Sequence, residues 1–304
     1  MGIPIIDCII VGSGPAGCSA AIYLGMSGCT SKLLVGPTPG GLLTKTEKVD
    51  NYLGLYNSSG MDITNNFMDH ASKFTELIYD GAASIIPYDD YVEVKTYNNE
   101  ILRSKFVIIA CGSNPTKLNV SGETLTGVSY CAVCDGFFYR NKIVAIVGGG
   151  NSAFEEAIYM SKLAKEVYLI HRSENFKAFK HNIDLVKSKK KIKILTNTIV
   201  ESCVGSEHLE YINIKTNNVV SKLNIDGLFI AIGHSANTDF VHNIDKKDGY
   251  IIIKNNYSTS NPRIFACGDC IHSDTIIRYK QASVSASEGC ICALEIASQL
   301  RNNP

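Results

Sequence analysis

Residues 5–17, Ile-Ile-Asp-Cys-Ile-Ile-Val-Gly-Ser-Gly-Pro-Ala-Gly, decide how the chain is read. The first seven are almost continuously apolar, as expected of a parallel strand covered on both faces. The glycines at 12, 14 and 17 then follow the dinucleotide-binding spacing Gly-x-Gly-x-x-Gly, and a helix-like stretch, SAAIYLGMSG, comes next. In that pattern the first glycine makes the tight turn. The second lets a pyrophosphate approach the backbone, and the third lets helix and strand pack closely. The helix N-terminus offers unpaired amides and the positive end of its dipole to the phosphates.

The pattern recurs. Residues 142–147 (KIVAIV) lead into Gly148-Gly149-Gly150-Asn151-Ser152-Ala153, the helical FEEAIYMSKLAK and a second strand ending at His171. Two strand–turn–helix units imply two nucleotide-binding domains produced by duplication, since a solenoid would have a much shorter period. Between them residues 90–97 alternate like an antiparallel strand, and ILRSKFVIIACGSNP reads as another apolar strand closed by Gly112 and Pro115. The first unit lacks the acidic ribose partner expected after its second strand, where Leu33-Leu34-Val35 ends in Gly36.

Composition narrows the class. The 304 residues are 45% apolar and 19% charged, enough for two domains with their own cores and unlike a disordered chain. The 29 basic and 29 acidic residues cancel, which argues against nucleic acid or an anionic membrane as partner. No stretch of 18 apolar residues exists to span a bilayer, and residues 1–11 lack the features of a signal peptide. A cytoplasmic location is expected. Eleven cysteines in no framework spacing do not suggest a secreted scaffold; Cys8, Cys18, Cys111 and Cys290 read as small buried hydrophobes.

Two pairs need separate treatment. Cys131-Ala132-Val133-Cys134 is followed by Asp135 and Gly136, just before the second nucleotide unit. Cysteines at this spacing can close a small disulfide ring, and an adjacent carboxylate can manage the proton of thiol–disulfide exchange. Cys267 and Cys270 could complete a four-thiolate zinc site. However, residues 264–269 read as a buried strand ending in Gly-Asp, which suits a flavin contact better, so no metal is expected.

With these residues in place the sequence resembles the low-molecular-weight thioredoxin reductases over essentially its whole length. The matching segments are 12–17, Gly40-Gly41, 49–52, 110–112, 131–135, 148–153 with Glu155-Glu156, 231–234, Gly268-Asp269, Gln281-Ala282 and 288–290. The resemblance implies an α/β protein of two Rossmann-like domains. The FAD domain (1–112 and 241–304) is split by an inserted NADPH-type domain (113–240) that carries the dithiol. It implies FAD held by Gly12, Gly14, Pro15, Ala16, Gly17, Gly41, Leu42, Asn51, Ala110, Gly112, Gly268, Asp269, Lys280, Gln281 and Ala282. Catalysis falls to Cys131, Cys134 and Asp135: Cys134 is the sulfur nearer the flavin, Cys131 attacks the disulfide of thioredoxin, and Asp135 is the acid/base. A homodimer is also implied.

The electron donor is less plain. The family's second unit carries an arginine set for the 2′-phosphate of NADPH; here the segment reads His171-Arg172-Ser173-Glu174-Asn175-Phe176-Lys177. One arginine stays, one is serine and one is lysine, a point charge in place of a bidentate fork. NADPH bound by Gly148, Gly150, Asn151, Ser152, Ala153, His171, Arg172 and Lys177 is the preferred reading. The alternative is the ferredoxin-dependent flavin branch of the family, with lysines 187–193 docking the acidic partner. A flavin redox sensor without turnover is the lesser alternative.

Overall fold

The computed structural model of the chain describes residues 3–46, 48–274 and 279–302; Met1 and Gly2, at the start of the stretch weighed as a signal peptide, lie outside them. The chain divides into two compact units, Met1–Asn114 with Ser235–Pro304, and Pro115–His234.

In the first unit the apolar run forms β1 (Ile5–Val11), and residues 8–11 are fully buried, which is why the sequence tolerates no polar alternation there. It lies between β2 (Ser31–Leu34) and the later strand β6 (Ile101–Ile109), parallel to both. β3 (Glu76–Ile78) extends the parallel sheet beyond β2. On the other side β4 (Ala82–Pro87) and β5 (Val92–Thr96) form an antiparallel hairpin that pairs with the start of β6, while Ile264–Ala266 pairs with its end. Helices α1 (Pro15–Met26) and α2 (Gly60–Ala71) and the C-terminal helix, Ala282–Asn302, cover one face. α1 starts with Pro15 in its first turn, where a missing N–H costs nothing. α2 starts at Ser59, whose hydroxyl accepts from the Asp62 N–H at 3.1 Å, a cap worth about 1 kcal/mol.

The second unit repeats the plan. β7 (Val128–Ser129), β8 (Ile143–Val147), β9 (Glu166–Ile170) and β10 (Ile192–Leu195) enter a five-stranded parallel sheet with the later Gly227–Ile230, in the order β10, β9, β8, 227–230, β7. The short α3 (Ala132–Asp135), α4 (Asn151–Leu163) and α5 (Lys180–Ser188) pack here. Phe154, Ala157, Met160, Val167 and Phe229 form the core beneath α4. Residues 198–224, which carry no motif, form a three-stranded antiparallel sheet; its second turn is Asn217-Asn218, both at positive φ (48° and 70°).

Correspondence between the units is close at the atomic level. The Gly12 N–H donates to Leu34 O at 2.8 Å, and the Gly148 N–H to Ile170 O at 3.0 Å. The Ala110 N–H donates to Val11 O, and the Ala231 N–H to Val147 O, each at 2.8 Å. The fold is therefore α/β, with two parallel sheets built on one local plan. Cys8 and Cys18 are buried as expected, but Cys111 and Cys290 are only half-buried: Cys111 follows the end of β6, and Cys290 stands off the buried stripe of the C-terminal helix.

Candidate active site

Cys131 and Cys134 are joined as a disulfide, with Cα atoms 5.3 Å apart. The four-residue α3 brings the two sulfurs together. Cys131 caps it, its sulfur accepting from the Cys134 N–H at 3.2 Å, and the Asp135 N–H donates to Cys131 O at 3.1 Å. Neither cysteine is fully buried, so a partner's sulfur has access.

Asp135 ends the same turn. The Ser129 hydroxyl donates to its Oδ2 at 2.6 Å and also accepts from the Cys131 N–H at 3.1 Å, so one serine ties the carboxyl to the dithiol's backbone. Burial raises the Asp135 pKa above the ordinary carboxylate range, and the Ser129 hydrogen bond offsets part of that rise. A carboxyl so placed holds a proton at higher pH than a solvated one. Ser129 carries no motif of its own, and sequence reasoning missed its role.

The glycine turn of the first unit separates what the fold needs from what it does not. Gly12 has φ +108°, and a side chain there would collide with the Ala110 carbonyl. One at Gly17 would collide with the Gly12 carbonyl. Gly14 is different: its φ of −67° suits any residue, and a Cβ would meet nothing closer than Gly40 O at 3.9 Å. No protein neighbour requires glycine at Gly14. It leaves open the approach to the α1 N-terminus, which is the space a pyrophosphate needs. The second unit repeats the distinction. Side chains at Gly148 or Gly149 would strike the Ala231 carbonyl or the His171 ring, whereas Gly150, at φ −95°, has nothing within 4 Å. Strand–helix packing explains Gly148, not Gly150.

Other predicted residues gather round the first turn. The Ser13 hydroxyl donates to Val35 O at 2.8 Å and accepts from the Gly40 N–H at 3.0 Å, bringing Gly40, Gly41 and Leu42 to the Gly-x-Gly loop. Asn51 Nδ2 donates to Gln281 Oε1 at 3.2 Å across 230 residues. Lys280 Nζ reaches the Tyr250 hydroxyl at 3.1 Å and the Ser113 hydroxyl at 3.4 Å. Gly268 and Asp269 lie in a turn whose Gly268 N–H donates to Glu288 Oε2 at 2.8 Å, and Gly289 packs against the Ala16 backbone in α1. Gly112 also leaves open space, and the Asn237 amide N–H holds the adjacent strand end by donating to Cys111 O at 3.0 Å. The turn, Asp269 and the start of the helix at Ala282 thus belong to one compact unit whose open glycines fit a dinucleotide. Ser13, Gly40 and Glu288 serve this cradle and were not among the expected ligands.

In the second unit the segment after β9 folds back on its glycine turn. His171 covers Gly149, with its Nε2 2.9 Å from Ser173 Oγ and 3.1 Å from Asn175 O. The Lys177 N–H donates to Gly149 O at 2.8 Å, and Asn151 Oδ1 accepts from the Phe179 N–H at 2.6 Å. Asn151 and His171 therefore shape the loop, while Ser152, Arg172 and Lys177 are exposed beside it, and Ala153 is buried against the turn. Glu174 accepts from Asn197 Nδ2 at 3.1 Å. In the lysine run, Lys191 donates to Ala164 O and Lys193 pairs with Glu166 at 2.8 Å. Cys267 and Cys270 are fully buried in the first unit, Cys270 donating to Cys267 O.

The model of the pyridine nucleotide-disulphide oxidoreductase family matches residues 6–289. The thioredoxin reductase of Buchnera aphidicola subsp. Schizaphis graminum is 41% identical, over 94% of this chain and 94% of that protein. The glucosaminate ammonia-lyase of Pseudomonas fluorescens is 39% identical, over 94% and 93% respectively. The crystal structure of thioredoxin reductase from Streptococcus pyogenes MGAS5005 superposes with a TM-score of 0.92 at 32% identity, covering 99% of this chain and 100% of that one. Relatives this similar carry two different names, so the activity must be argued from the site.

Proposed function

Because the chain belongs to the pyridine nucleotide-disulphide oxidoreductase family, we propose that it is an FAD-dependent thioredoxin-disulfide reductase with NADPH as electron donor. The observation that carries the reading is the Cys131–Cys134 disulfide with Asp135 held beside it by Ser129. An ammonia-lyase reaction is no net redox change and has no use for that pair.

FAD, when bound, supplies the two-electron chemistry that links NADPH to the disulfide. Gly14 and the first amides of α1 would hold its pyrophosphate, with Gly12 and Gly17 shaping the turn and Asp269 and the start of the C-terminal helix along the rest of the molecule. Gly148, Gly150 and Ala153 would seat NADPH, leaving its 2′-phosphate to Arg172 and Lys177, which among the described residues form no ion pair. The open Gly150 supports NADPH over ferredoxin, since a unit kept only for packing has no need of glycine there.

The chain's own chemistry is thiol–disulfide exchange. In the reduced pair the Cys131 thiolate attacks one sulfur of the thioredoxin disulfide; that S–S bond breaks, and a mixed disulfide forms. Cys134, as thiolate, then attacks the Cys131 sulfur, restores the ring and expels the second thioredoxin sulfur. Each leaving thiolate needs a proton. Asp135 is placed to deliver it, because burial keeps its carboxyl protonated at a higher pH than solvent would. A homodimer is the assembly we propose, supported by exposed Met26, Ile291 and Leu294 on two packed helices.

The test is anaerobic. The yellow holoprotein is mixed with NADPH, then with oxidised thioredoxin. Bleaching followed by recovery of the flavin colour, with thioredoxin thiols appearing in stoichiometric amount, is expected. No bleaching by NADPH together with turnover on reduced ferredoxin would overturn the donor; no thiol release with either donor would overturn the reductase.

A further inference from the structure

Outside the machinery described so far, the second unit holds one further carboxyl against the dithiol. α4 packs on α3, and Glu156 projects from α4 into the contact. The backbone N–H of Ala132, one of the two residues between the cysteines, is directed at its carboxyl. Its Oε2 is buried and has no hydrogen-bond partner among the described residues. The packing is tight: a side chain on Gly136, next to Asp135, would strike Met160 Sδ and Tyr159 of α4. An orphaned carboxylate oxygen in such a place is costly, and the sequence spends it beside the reactive pair.

We propose that Glu156 is a positioning residue whose buried charge sets the pH at which the reduced Cys131–Cys134 pair forms its thiolate. The inference rests on the dithiol reading given above and deepens it. A buried anion on the Ala132 amide and an anion on the neighbouring cysteine oppose each other across the contact of α3 with α4, so an ionised Glu156 holds the thiol protonated. Once the thiolate forms, its proton having gone to water, Glu156 in turn is drawn towards its neutral form. The two groups titrate as a pair.

Burial supports this by pushing the Glu156 carboxyl up to about 7, while the Ala132 amide pulls it back in part and the charge of Glu155 adds to the rise. Other titratable groups on the elements packed against α4 have no resolved effect on it. They are Asp135 on α3, Tyr139 in the turn after it, Lys180, His181, Asp184 and Lys187 on α5, and Glu166 and Tyr168 on β9. A carboxyl so shifted changes charge near neutral pH.

The experiment uses the FAD-loaded chain, reduced anaerobically. Alkylation of Cys131 and Cys134 is followed by peptide mass from about pH 5.5 to 9, a range spanning a shifted carboxyl and an ordinary thiol. The wild-type rate profile should show two inflections, the lower one from Glu156. Glu156→Gln keeps an oxygen for the Ala132 amide and removes the charge. Its profile should lose the lower inflection and show the thiol inflection about one unit lower. That is about tenfold more thiolate below the inflection, reduced to roughly threefold in rate because nucleophilicity falls with thiol pKa. Glu156→Asp, which keeps the charge, should retain two inflections. Superimposable wild-type and Gln profiles would overturn the proposal, and so would a single inflection in the Asp variant. The melting transition of each variant, followed by circular dichroism, reports folding of the unit that holds Glu156. If the pair cannot be reduced even in the wild type, the reductase reading itself fails, which is a different result from superimposable profiles.

Discussion

Gly14 and Gly17 stand three residues apart in one turn, and the chain needs them for opposite reasons. A methyl at Gly17 has to enter the Gly12 carbonyl, so Gly17→Ala should destabilise the apoprotein by about 1–3 kcal/mol or prevent folding. A methyl at Gly14 meets only the Gly40 carbonyl, at an ordinary contact distance of 3.9 Å. Gly14→Ala should leave the apoprotein melting temperature nearly unchanged and lower FAD retention on a desalting column. Equal loss of stability in both variants would mean that Gly14 serves packing, not a ligand. Asp135 makes the corresponding case for chemistry. Its raised pKa means that the folded protein binds a proton the unfolded chain has already released, so this residue's contribution to stability falls as pH rises through the window above the ordinary carboxylate value. Asp135→Asn should remove that dependence and slow the thioredoxin step about 10²-fold or more, while flavin reduction by NADPH stays close to wild type in stopped flow. If flavin reduction slows equally, the carboxyl has only a structural part.

At the scale of elements, legibility followed how local each signal was. β1, its turn and α1 were readable because a strand buried on both faces, three spaced glycines and a proline in the first turn all lie within some twenty residues. The hairpin sheet at 198–224 was not read, although Asn217-Asn218 between alternating segments is a two-residue turn signal, since both residues tolerate the positive φ it demands. Glu156 stood in a helical run and in a segment matching the family, with no role of its own. The usable clue was helical phase: it lies three residues after buried Ala153 and four before buried Met160, where an acid is out of place. Ser129 and Ser13 gave no such clue, because what they do depends on partners brought in by the fold. The segment after β9 lies between these cases. Its reduced arginine set was plain in sequence, but its anchoring on Gly149 through Lys177 was not. That anchoring keeps Arg172 beside the turn. Arg172→Ala should therefore weaken NADPH roughly ten- to a hundredfold in the KM for flavin reduction, the range of one charge-assisted contact, and leave NADH almost unaffected. Equal losses for both nucleotides would remove the 2′-phosphate from this residue.

Across the whole molecule, the repeat of one plan in two units was visible from the glycine spacing, but the interruption of the first unit by the second was not. Ile264–Ala266 pairs with the end of β6 across more than a hundred and fifty residues, and nothing in either strand's composition names its partner. Only the resemblance to a known family carried that expectation. The division has a functional consequence that can be measured. The dinucleotide cradle at Gly14 belongs to one compact unit and the Cys131–Cys134 pair to the other, each with its own buried core. Removing one sulfur leaves the cradle's contacts untouched. Cys134→Ser should retain a full complement of FAD and the wild-type melting temperature while thioredoxin reduction falls to background; Cys131→Ser should behave likewise, because exchange needs both sulfurs. The other Cys-x-x-Cys pair supplies the control. Cys267 and Cys270 are fully buried in the cradle's unit, and Cys270 is occupied in donating to a backbone carbonyl. Cys267→Ala and Cys270→Ala should each lose some stability, as any small core deletion does, and still turn over thioredoxin at a substantial rate. Should either prove as inactive as Cys131→Ser while keeping its FAD and its fold, the electron path would have to run through the buried pair, and the assignment of the redox centre to Cys131–Cys134 would fall.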